Sequence, residues 1–215
     1  MITRKEKADG QKTLYKGRLV ARGFQEKTLP QADSPTMLRE SMKLFFAVAA
    51  NQGFELRSID IRAAFLQARE LDREVFLVPP SDLKEQGVLW KLRKPLYGLN
   101  DASRKFWLWV KAVFTEFGMK RMEGDEALYF RHNEEGDLVG MISTHIDNFN
   151  MAGTEEFLKE VTERIGGALD ISKIEDSRFH FTRIDVERKD GRIEILMDDY
   201  GASLMEIELR EGRSD

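Results

Sequence analysis

A stretch of alternating β-prone residues, 139–153 (VGMISTHIDNFNMAG), constrains the fold of this chain more than any other segment. Two runs rich in Val, Ile, Phe and Met flank Asp147-Asn148, and both residues of that dipeptide tolerate the positive φ of a tight turn. The pattern predicts a β-hairpin with Asp147-Asn148 at its tip. A dipeptide of this kind usually serves only the turn, so the hairpin alone assigns no function.

A second β-prone run, 54–61 (FELRSIDI), predicts a strand that carries Asp60 near its end. If this strand lies beside the hairpin in one sheet, the carboxylates of Asp60 and Asp147 converge at the end of that sheet. A pair of carboxylates from distant parts of the chain would then face the same space.

An earlier segment, 14–24, alternates with period two and predicts a strand with Lys16, Arg18, Val20 and Arg22 on one face. Evenly spaced cations on a strand suit the triphosphate of an incoming nucleotide. The alternative is an ordinary solvated face, which is the commoner role of any single surface base.

Three helix signals occur before the C-terminal region. Ser34-Pro35 predicts a helix that begins with a serine cap and runs to Gln52. Residues 101–117 predict a helix whose aromatic stripe belongs to the core rather than to a base-stacking surface. Thr154 predicts the cap of a helix with acids in its first turn.

The other strand patterns come in pairs. The pairs are 73–79 with 88–92, 128–131 with 138–145, and 179–187 with 192–196. The last pair flanks Asp190-Gly191, which is a strong turn signal, and a final amphipathic helix is predicted from about Asp198. This order predicts an α+β protein in which helices back an antiparallel sheet.

Composition limits the kind of protein. The 215 residues suffice for one domain or two closely associated subdomains. The sequence shows no membrane-length apolar run and has a charged N-terminus, so we expect no signal peptide, no transmembrane helix and an intracellular location. The absence of cysteine excludes disulfides and thiolate-bound zinc, and the three histidines are too scattered for a histidine zinc site.

The charge distribution is uneven. A net charge of −4 argues against a protein that coats nucleic acid indiscriminately. Bases nevertheless predominate up to Lys27 and again between Lys91 and Lys111, whereas the chain is acidic after Thr154. This asymmetry indicates that phosphates could be held on one side only.

Four segments resemble motifs of the reverse transcriptases of copia-type LTR retrotransposons, and they occur in the family's order. Residues 58–66 (SIDIRAAFL) resemble motif A, and 96–107 (LYGLNDASRKFW) resemble motif B. Residues 145–148 (HIDN) occupy the place of the Tyr-Val-Asp-Asp box, and 14–25 (LYKGRLVARGFQ) resemble the fingers strand. The resemblance covers nearly the whole chain.

The resemblance implies a reverse-transcriptase-like fold of fingers and palm, in which the palm is a ferredoxin-like antiparallel sheet backed by helices. It assigns residues 1–56 and 67–95 to the fingers and residues 57–66 and 96–212 to the palm. It also leads us to expect that the thumb and the RNase H region are absent from this chain.

The activity implied by the resemblance is RNA-directed DNA polymerisation with two Mg²⁺ ions, for which Mn²⁺ is an alternative. The family's metal ligands correspond to Asp60, Asp147 and the position of Asn148. An amide oxygen can coordinate Mg²⁺, but it lacks the charge of the usual aspartate. We therefore expect weaker metal binding and a rate lower by about a hundredfold or more.

The resemblance also implies roles in nucleotide binding and proton transfer. Lys16, Arg18 and Arg22 would hold the triphosphate, and Phe65 would exclude a ribose 2′-hydroxyl, the alternative for Phe65 being a plain core aromatic. The motif B residues Tyr97 and Gly98 would lie against the nucleotide, with Gly98 allowing close backbone approach. Lys173 would protonate the pyrophosphate leaving group.

Several residues depart from the family pattern. Asn100, Asp101 and Ser103 replace the usual Lys, Gln and Pro, and we expect Asp101 to put an acid near the path of the template or nucleotide. His145 replaces the tyrosine of the box, and Arg183 replaces a glycine near the primer grip.

Two functions of different classes remain open. The first is a polymerase fragment that acts on primer–template RNA or DNA with dNTPs, together with the rest of a Pol polyprotein and without a membrane. The second is an inactive relict or domesticated module that retains contacts with nucleic acid or a partner. The expected location is the cytoplasm or a retrotransposon particle, with the nucleus as an alternative. A third and more remote option is an unrelated RNA-binding sheet protein. It would need exposed aromatics on its central strands, which Arg183 and His145 do not supply.

Overall fold

The computed structural model describes residues 2–5, 14–26, 30–80, 82–83, 87–182, 184–202 and 204, with the backbone alone for residues 2–5, 14–16 and 199. The strands are β1 (Ile2–Lys5), β2 (Leu14–Gly17), β3 (Glu55–Ile61), β4 (Val75–Leu77), β5 (Trp90–Leu92), β6 (Lys120–Met122), β7 (Asp125–His132), β8 (Leu138–His145), β9 (Asn148–Gly153), β10 (Ile171–Asp176), β11 (Arg178–Phe181), β12 (Ile184–Lys189) and β13 (Arg192–Leu196). The helices are α1 (Arg39–Gln52), α2 (Ala64–Gln67), α3 (Ala102–Glu116), α4 (Glu155–Ala168) and α5 (Asp198–Ala202), with a 3₁₀ turn at Gly23–Gln25.

The central sheet has the strand order β10-β3-β9-β8-β7-β6, and its neighbouring strands are antiparallel. Smaller antiparallel sheets are formed by β11-β12-β13, β4-β5 and β1-β2. The predicted α+β class is therefore confirmed. None of the helices within the described residues is long and apolar enough to span a bilayer.

Period-two alternation gives the central sheet two buried faces. One face contributes Ile59, Ile61 and Phe149 to a core that it shares with α3 and α4. The opposite face contributes Leu56 and Ala152 to a second core, which includes residues of α1, β11 and β12. The central sheet is thus packed on both faces.

Several local predictions are confirmed. The aromatic stripe of α3 is buried, including Phe106 and Phe114. The hydroxyl of Thr154 accepts a hydrogen bond from the backbone N–H of Phe157 at 3.2 Å, which caps α4 as predicted. Asp190-Gly191 forms the turn between β12 and β13, with both residues at positive φ.

Two element boundaries differ from the predictions. The helix predicted from Ser34 begins at Arg39, because the backbone N–H of Leu38 donates to the carboxylate of Asp125 at 2.9 Å, across 87 residues of sequence. The strand predicted over 179–187 is divided into β11 and β12, with Thr182 at a φ of 44° between them. Arg183 lies outside the described residues.

The strand predicted over 14–24 is also shorter than expected, because β2 ends at Gly17. Beyond it, the backbone N–H of Ala21 donates to the carbonyl of Tyr97 at 2.7 Å, and Gly23 donates to Gly98 at 3.1 Å. Residues 18–24 are therefore not part of a regular strand, and the predicted strand bounds are wrong.

Candidate active site

The strand with Asp60 and the hairpin with Asp147 are neighbours, as predicted. Asp60 pairs directly with Asn148 across β3 and β9, and the backbone N–H of Ile61 donates to the carbonyl of Asp147 at 2.8 Å. Each of these three polar residues is partly exposed. The pairing therefore gathers two carboxylates and one amide at one end of the central sheet.

The turn of the hairpin lies one residue earlier than predicted. His145 pairs with Asn148, so the two-residue turn is Ile146-Asp147, with Ile146 at a φ of 55°. A β-branched residue rarely adopts that conformation, and the sequence pattern therefore favoured Asp147-Asn148. As a consequence, Asn148 is the first residue of β9, where its side chain shares a sheet face with Asp60.

Asn148 is held by a serine that sequence analysis missed. Ser58 and Asn148 are hydrogen-bonded through their side chains, with 3.4 Å from the serine hydroxyl to Oδ1 and 3.3 Å from Nδ2 to the hydroxyl. Ser58 lies two residues before Asp60 and so points to the same face of β3. Period-two alternation could have identified it.

Asp60 has contacts with β10. The hydroxyl of Ser172 donates to the Asp60 carboxylate and also to its carbonyl, the latter at 3.1 Å. A register irregularity between Ile171 and Lys173 accompanies this contact. A bulge of this kind has no sequence signal here, so Ser172 could not have been predicted.

Lys173 pairs with Asp60 across β3 and β10, which places it next to one of the two carboxylates. Its ammonium group lies 2.6 Å from the carboxylate of Glu175, and the Lys173 side chain is 62% exposed. The lysine therefore lies beside the candidate site, but its charge is directed to a neighbour on its own strand.

The surroundings of Asp147 change the pKa of its carboxylate. Burial raises its pKa above the ordinary value, the negative charge of Asp60 adds to this shift, and Arg18 and His145 oppose it. Burial also lowers the pKa of His145, against the opposing effect of the nearby Asp147 charge. A cation at this position would relieve the repulsion between Asp60 and Asp147.

A cation and two aromatic rings lie beside the carboxylates. The guanidinium carbon of Arg18 lies 5.4 Å from the ring centroid of Tyr97, and the ring of Phe65 lies 4.8 Å from the Tyr97 ring. Burial raises the pKa of Tyr97, with Asp147 as the next cause and a further contribution from Asp60. Arg18, Tyr97 and Phe65 thus join the two aspartates in one group.

The other predicted nucleotide-binding residues have different positions. Arg22 is exposed at the start of the 3₁₀ turn, and the Lys16 side chain lies outside the described residues. Gly98 has a φ of 88°, and a Cβ at this position would lie 2.0 Å from the Ala21 carbonyl oxygen. The close approach that requires this glycine in the structure is therefore that of Val20 and Ala21.

Asp101 is buried next to the start of α3 and is paired with an arginine. Its side chain is 1% exposed and is bound by the guanidinium of Arg73, at 3.1 Å from Nε and 2.9 Å from a terminal nitrogen. The acid that was expected near the path of the template or nucleotide is therefore paired with a cation 28 residues earlier in the chain.

The donor set suits a hard divalent cation. Carboxylate and amide oxygens are the ligands that Mg²⁺ and Mn²⁺ use in proteins, and Asp60, Asp147 and Asn148 supply them from adjacent strands. No cluster of three or more His, Cys, Asp and Glu residues capable of holding a metal occurs within the described part of the chain. Two of the three donors in this site, Asp60 and Asp147, carry a negative charge, and the third, Asn148, is neutral.

The chain belongs to the reverse transcriptases, because the family described as "Reverse transcriptase (RNA-dependent DNA polymerase)" matches its residues 1–212. Within that family it is similar to the Pol polyproteins of copia-type retrotransposons. It is 25% identical over 194 residues to the "Retrovirus-related Pol polyprotein from transposon RE2" of Arabidopsis thaliana, covering 87% of this chain and 13% of that protein.

Two further relatives are of the same kind. The polyprotein from transposon RE1 of Arabidopsis thaliana is 28% identical over 163 residues, which are 74% of this chain and 11% of the relative. The polyprotein from transposon TNT 1-94 of Nicotiana tabacum is 27% identical over 162 residues, which are 72% of this chain and 12% of the relative. The chain thus spans only a small part of these polyproteins.

Among solved structures, the chain is similar to telomerase from Candida albicans in complex with a TWJ fragment of telomeric RNA. The TM-score is 0.41 and the sequence identity is 8%, over 75% of this chain and 35% of the telomerase chain.

Proposed function

We propose that this domain binds a primer–template and a dNTP and carries out RNA-directed DNA synthesis, at a rate limited by Asn148. The observation that carries the proposal is the pairing of β3 with β9, which sets Asp60 beside Asp147 and Asn148. In this proposal, residues 1–56 and 67–95 are the fingers, and residues 57–66 and 96–212 are the palm.

The metal ligands would be Asp60 and Asp147, with the amide oxygen of Asn148 as a weaker neutral donor. When bound, Mg²⁺ or Mn²⁺ would activate the primer hydroxyl and neutralise the charge that develops on the triphosphate. Two carboxylates hold less negative charge than three, so metal binding is the step that this chain performs least well.

The remaining residues of the group would bind and orient the nucleotide. Arg18 lies next to the carboxylates and would contact the triphosphate, with Lys16 and Arg22 as further cations. Tyr97 and Phe65 would contact the sugar, and Gly98 would keep the backbone close to the nucleotide. Lys173 would donate a proton to the pyrophosphate leaving group, which requires its ammonium to separate from Glu175.

A second candidate function is a binding module without turnover. It is favoured by the side-chain contacts between Asn148 and Ser58, which occupy the amide, and by the pair between Lys173 and Glu175. Such a module would keep the basic and aromatic contacts to nucleic acid or another partner while the chemistry is lost.

Primer extension and nucleic-acid binding, measured on the same samples, separate the two functions. The parent chain and the Asp60→Asn and Asp147→Asn variants would be assayed with a labelled primer–template, dNTPs and Mg²⁺ or Mn²⁺. Asp82→Asn is the matched control, because Asp82 is exposed and distant in sequence from the site. Slow extension by the parent chain that both site variants abolish supports the polymerase. Nucleic-acid binding by the parent chain without extension supports the module. A parent chain that neither extends the primer nor binds nucleic acid overturns both proposals.

A further inference from the structure

A partly buried charge cluster joins the segment that carries Arg18 to the start of α3. Arg73 donates two hydrogen bonds to Asp101 and a third, at 2.8 Å, to the carboxylate of Glu26. Asp101 directly precedes α3, whereas Glu26 directly follows the 3₁₀ turn. One guanidinium therefore ties two separate parts of the backbone together.

Asn100 adds a second connection between the same two parts. Its amide nitrogen donates to the carbonyl of Gly23 at 2.9 Å and to the carboxylate of Glu26 at 3.0 Å. The residues at positions 100 and 101 that depart from the family's motif B are thus both engaged in this cluster. The Asn100 side chain contacts the segment before α1 directly, whereas the Asp101 side chain is linked to it through Arg73.

Burial makes the cluster sensitive to any loss of charge. The side chain of Asp101 is 1% exposed and that of Glu26 is 16% exposed, so neither carboxylate is well solvated. The planar fork of arginine satisfies both oxygens of Asp101 and still reaches Glu26, which an ammonium group cannot do with the same geometry. Removing Arg73 would leave a buried carboxylate without its counter-charge.

The cluster flanks the contact that fixes Arg18. The backbone bonds from Ala21 to Tyr97 and from Gly23 to Gly98 lie between Arg18 and Glu26 along the chain. At the other end of the segment, Arg18 lies over the ring of Tyr97, next to the two aspartates. If Arg73 no longer binds Glu26, the backbone bonds of Ala21 and Gly23 lose a supporting contact on their C-terminal side.

We propose that Arg73 is a positioning residue, which through Asp101 and Glu26 docks residues 18–26 on motif B and thereby holds Arg18 in place for the triphosphate of a nucleotide. This inference rests on the proposed function for the identity of the ligand, whereas the docking of the segment does not depend on it.

Two variants test the positioning role. Arg73→Met removes the charge, and Arg73→Lys keeps the charge but loses the fork. Arg93→Met is the matched control. Arg93 also pairs with an acid, Glu70, at 3.0 Å, but this pair is exposed. Hydrogen exchange by mass spectrometry of the intact chain reports the docking directly, without any need for polymerase activity.

The expected result is local. Exchange in peptides covering residues 18–26 should accelerate by about tenfold or more in Arg73→Met, and by less in Arg73→Lys, while peptides from β3 and β9 keep the parent rates. Uniform acceleration over the whole chain would show a general loss of stability and would overturn the proposal. Exchange indistinguishable from that of Arg93→Met would overturn it as well.

Nucleotide affinity provides the second readout. With primer–template and Mn²⁺, Arg73→Met should weaken dATP binding about tenfold. In a chain that already carries Arg18→Met, Arg73→Met should weaken binding no further, because both substitutions act through the guanidinium of Arg18. Additive losses would overturn the route through Arg18. Failure of the parent chain to bind any dNTP, together with local acceleration of exchange, would overturn the proposed function while supporting the docking by Arg73.

Discussion

Asp60 and Asn148 are paired directly across β3 and β9, so an amide lies where two carboxylates from adjacent strands could have shared a metal ion. The amide is engaged by Ser58 rather than directed only to the site. In the proposed function, this relationship would keep the site's architecture and weaken its metal binding. The charge at position 148, and not the fold around it, would then limit the rate.

The first prediction concerns the charge at position 148. Asn148→Asp adds a carboxylate next to Asp60, and we expect tighter Mn²⁺ binding and primer extension faster by about a hundredfold. Isothermal titration with Mn²⁺ and a primer-extension time course measure the two effects. Asn133→Asp, at an exposed turn, is the matched control. Equal metal affinity in the parent and Asn148→Asp chains would contradict the prediction.

The second prediction concerns the sugar specificity of Phe65. This ring is partly buried against Tyr97 and, at 6.4 Å between centroids, against Phe106. In an Asn148→Asp chain, Phe65→Val should raise the ratio of kcat/KM for rNTP to that for dNTP by about tenfold or more, because it removes bulk near the 2′-hydroxyl.

Phe76→Val is the control for this experiment, because it makes the same substitution at a ring that is 52% exposed. If Phe65 is only a core residue, Phe65→Val lowers the free energy of unfolding and leaves the rNTP to dNTP ratio unchanged. The two roles are therefore distinguished by the same pair of measurements.

The third prediction concerns the contact between Gly98 and segment 20–21. A Cβ at Gly98 would lie 2.0 Å from the Ala21 oxygen and 2.6 Å from a methyl carbon of Val20, at a φ of 88°. Gly98→Ala should lower the free energy of unfolding by at least about 3 kcal/mol, since both strain and overlap oppose it.

Gly118→Ala isolates the strain, because Gly118 has a φ of 75° and no atom within 4 Å of its added Cβ. We expect it to cost about 1 to 2 kcal/mol. Urea unfolding of both variants measures the difference, and equal losses would show that the contact at Gly98 is not tight.

The sequence predicted the parts of the site that depend on local patterns. The strand with Asp60 and the hairpin with Asp147 follow from alternation over short runs, and the structure brings them together as predicted. The hairpin turn was misplaced by one residue, because Ile146 adopts a φ of 55° that its β-branched side chain disfavours. Local propensity was overridden there by the pairing of the two strands.

The features that the sequence did not predict depend on contacts between distant residues. No sequence pattern pairs Asp101 with Arg73, which binds it in the structure. Arg18 lies outside a regular strand, in a segment where the backbone N–H of Ala21 donates to the carbonyl of Tyr97. Similarly, α1 begins late because Asp125 binds Leu38. A single sequence carries no periodic signal for such pairs, so only the three-dimensional arrangement could identify them.

The last prediction concerns the pH dependence of stability and the pair between Arg131 and Glu160. Hydrogen bonds from Arg131, at 2.6 and 3.1 Å, lower the pKa of Glu160 below its usual 4.5, against the opposing effect of burial. A carboxylate with a lowered folded-state pKa stabilises the folded chain above its unfolded-state value, and this contribution is lost as the pH falls through the folded-state pKa.

Glu160→Gln should therefore lower the free energy of unfolding at pH 7 by about 0.5 to 1 kcal/mol, since the pair is partly exposed, and the difference from the parent should shrink below pH 4.5. Glu163→Gln, at an exposed position of the same helix, is the control and should change little at either pH. Urea unfolding at several pH values measures the effect. A difference that stays constant down to the lowest pH would mean that the hydrogen-bonding shape of the side chain, and not its charge, stabilises this contact.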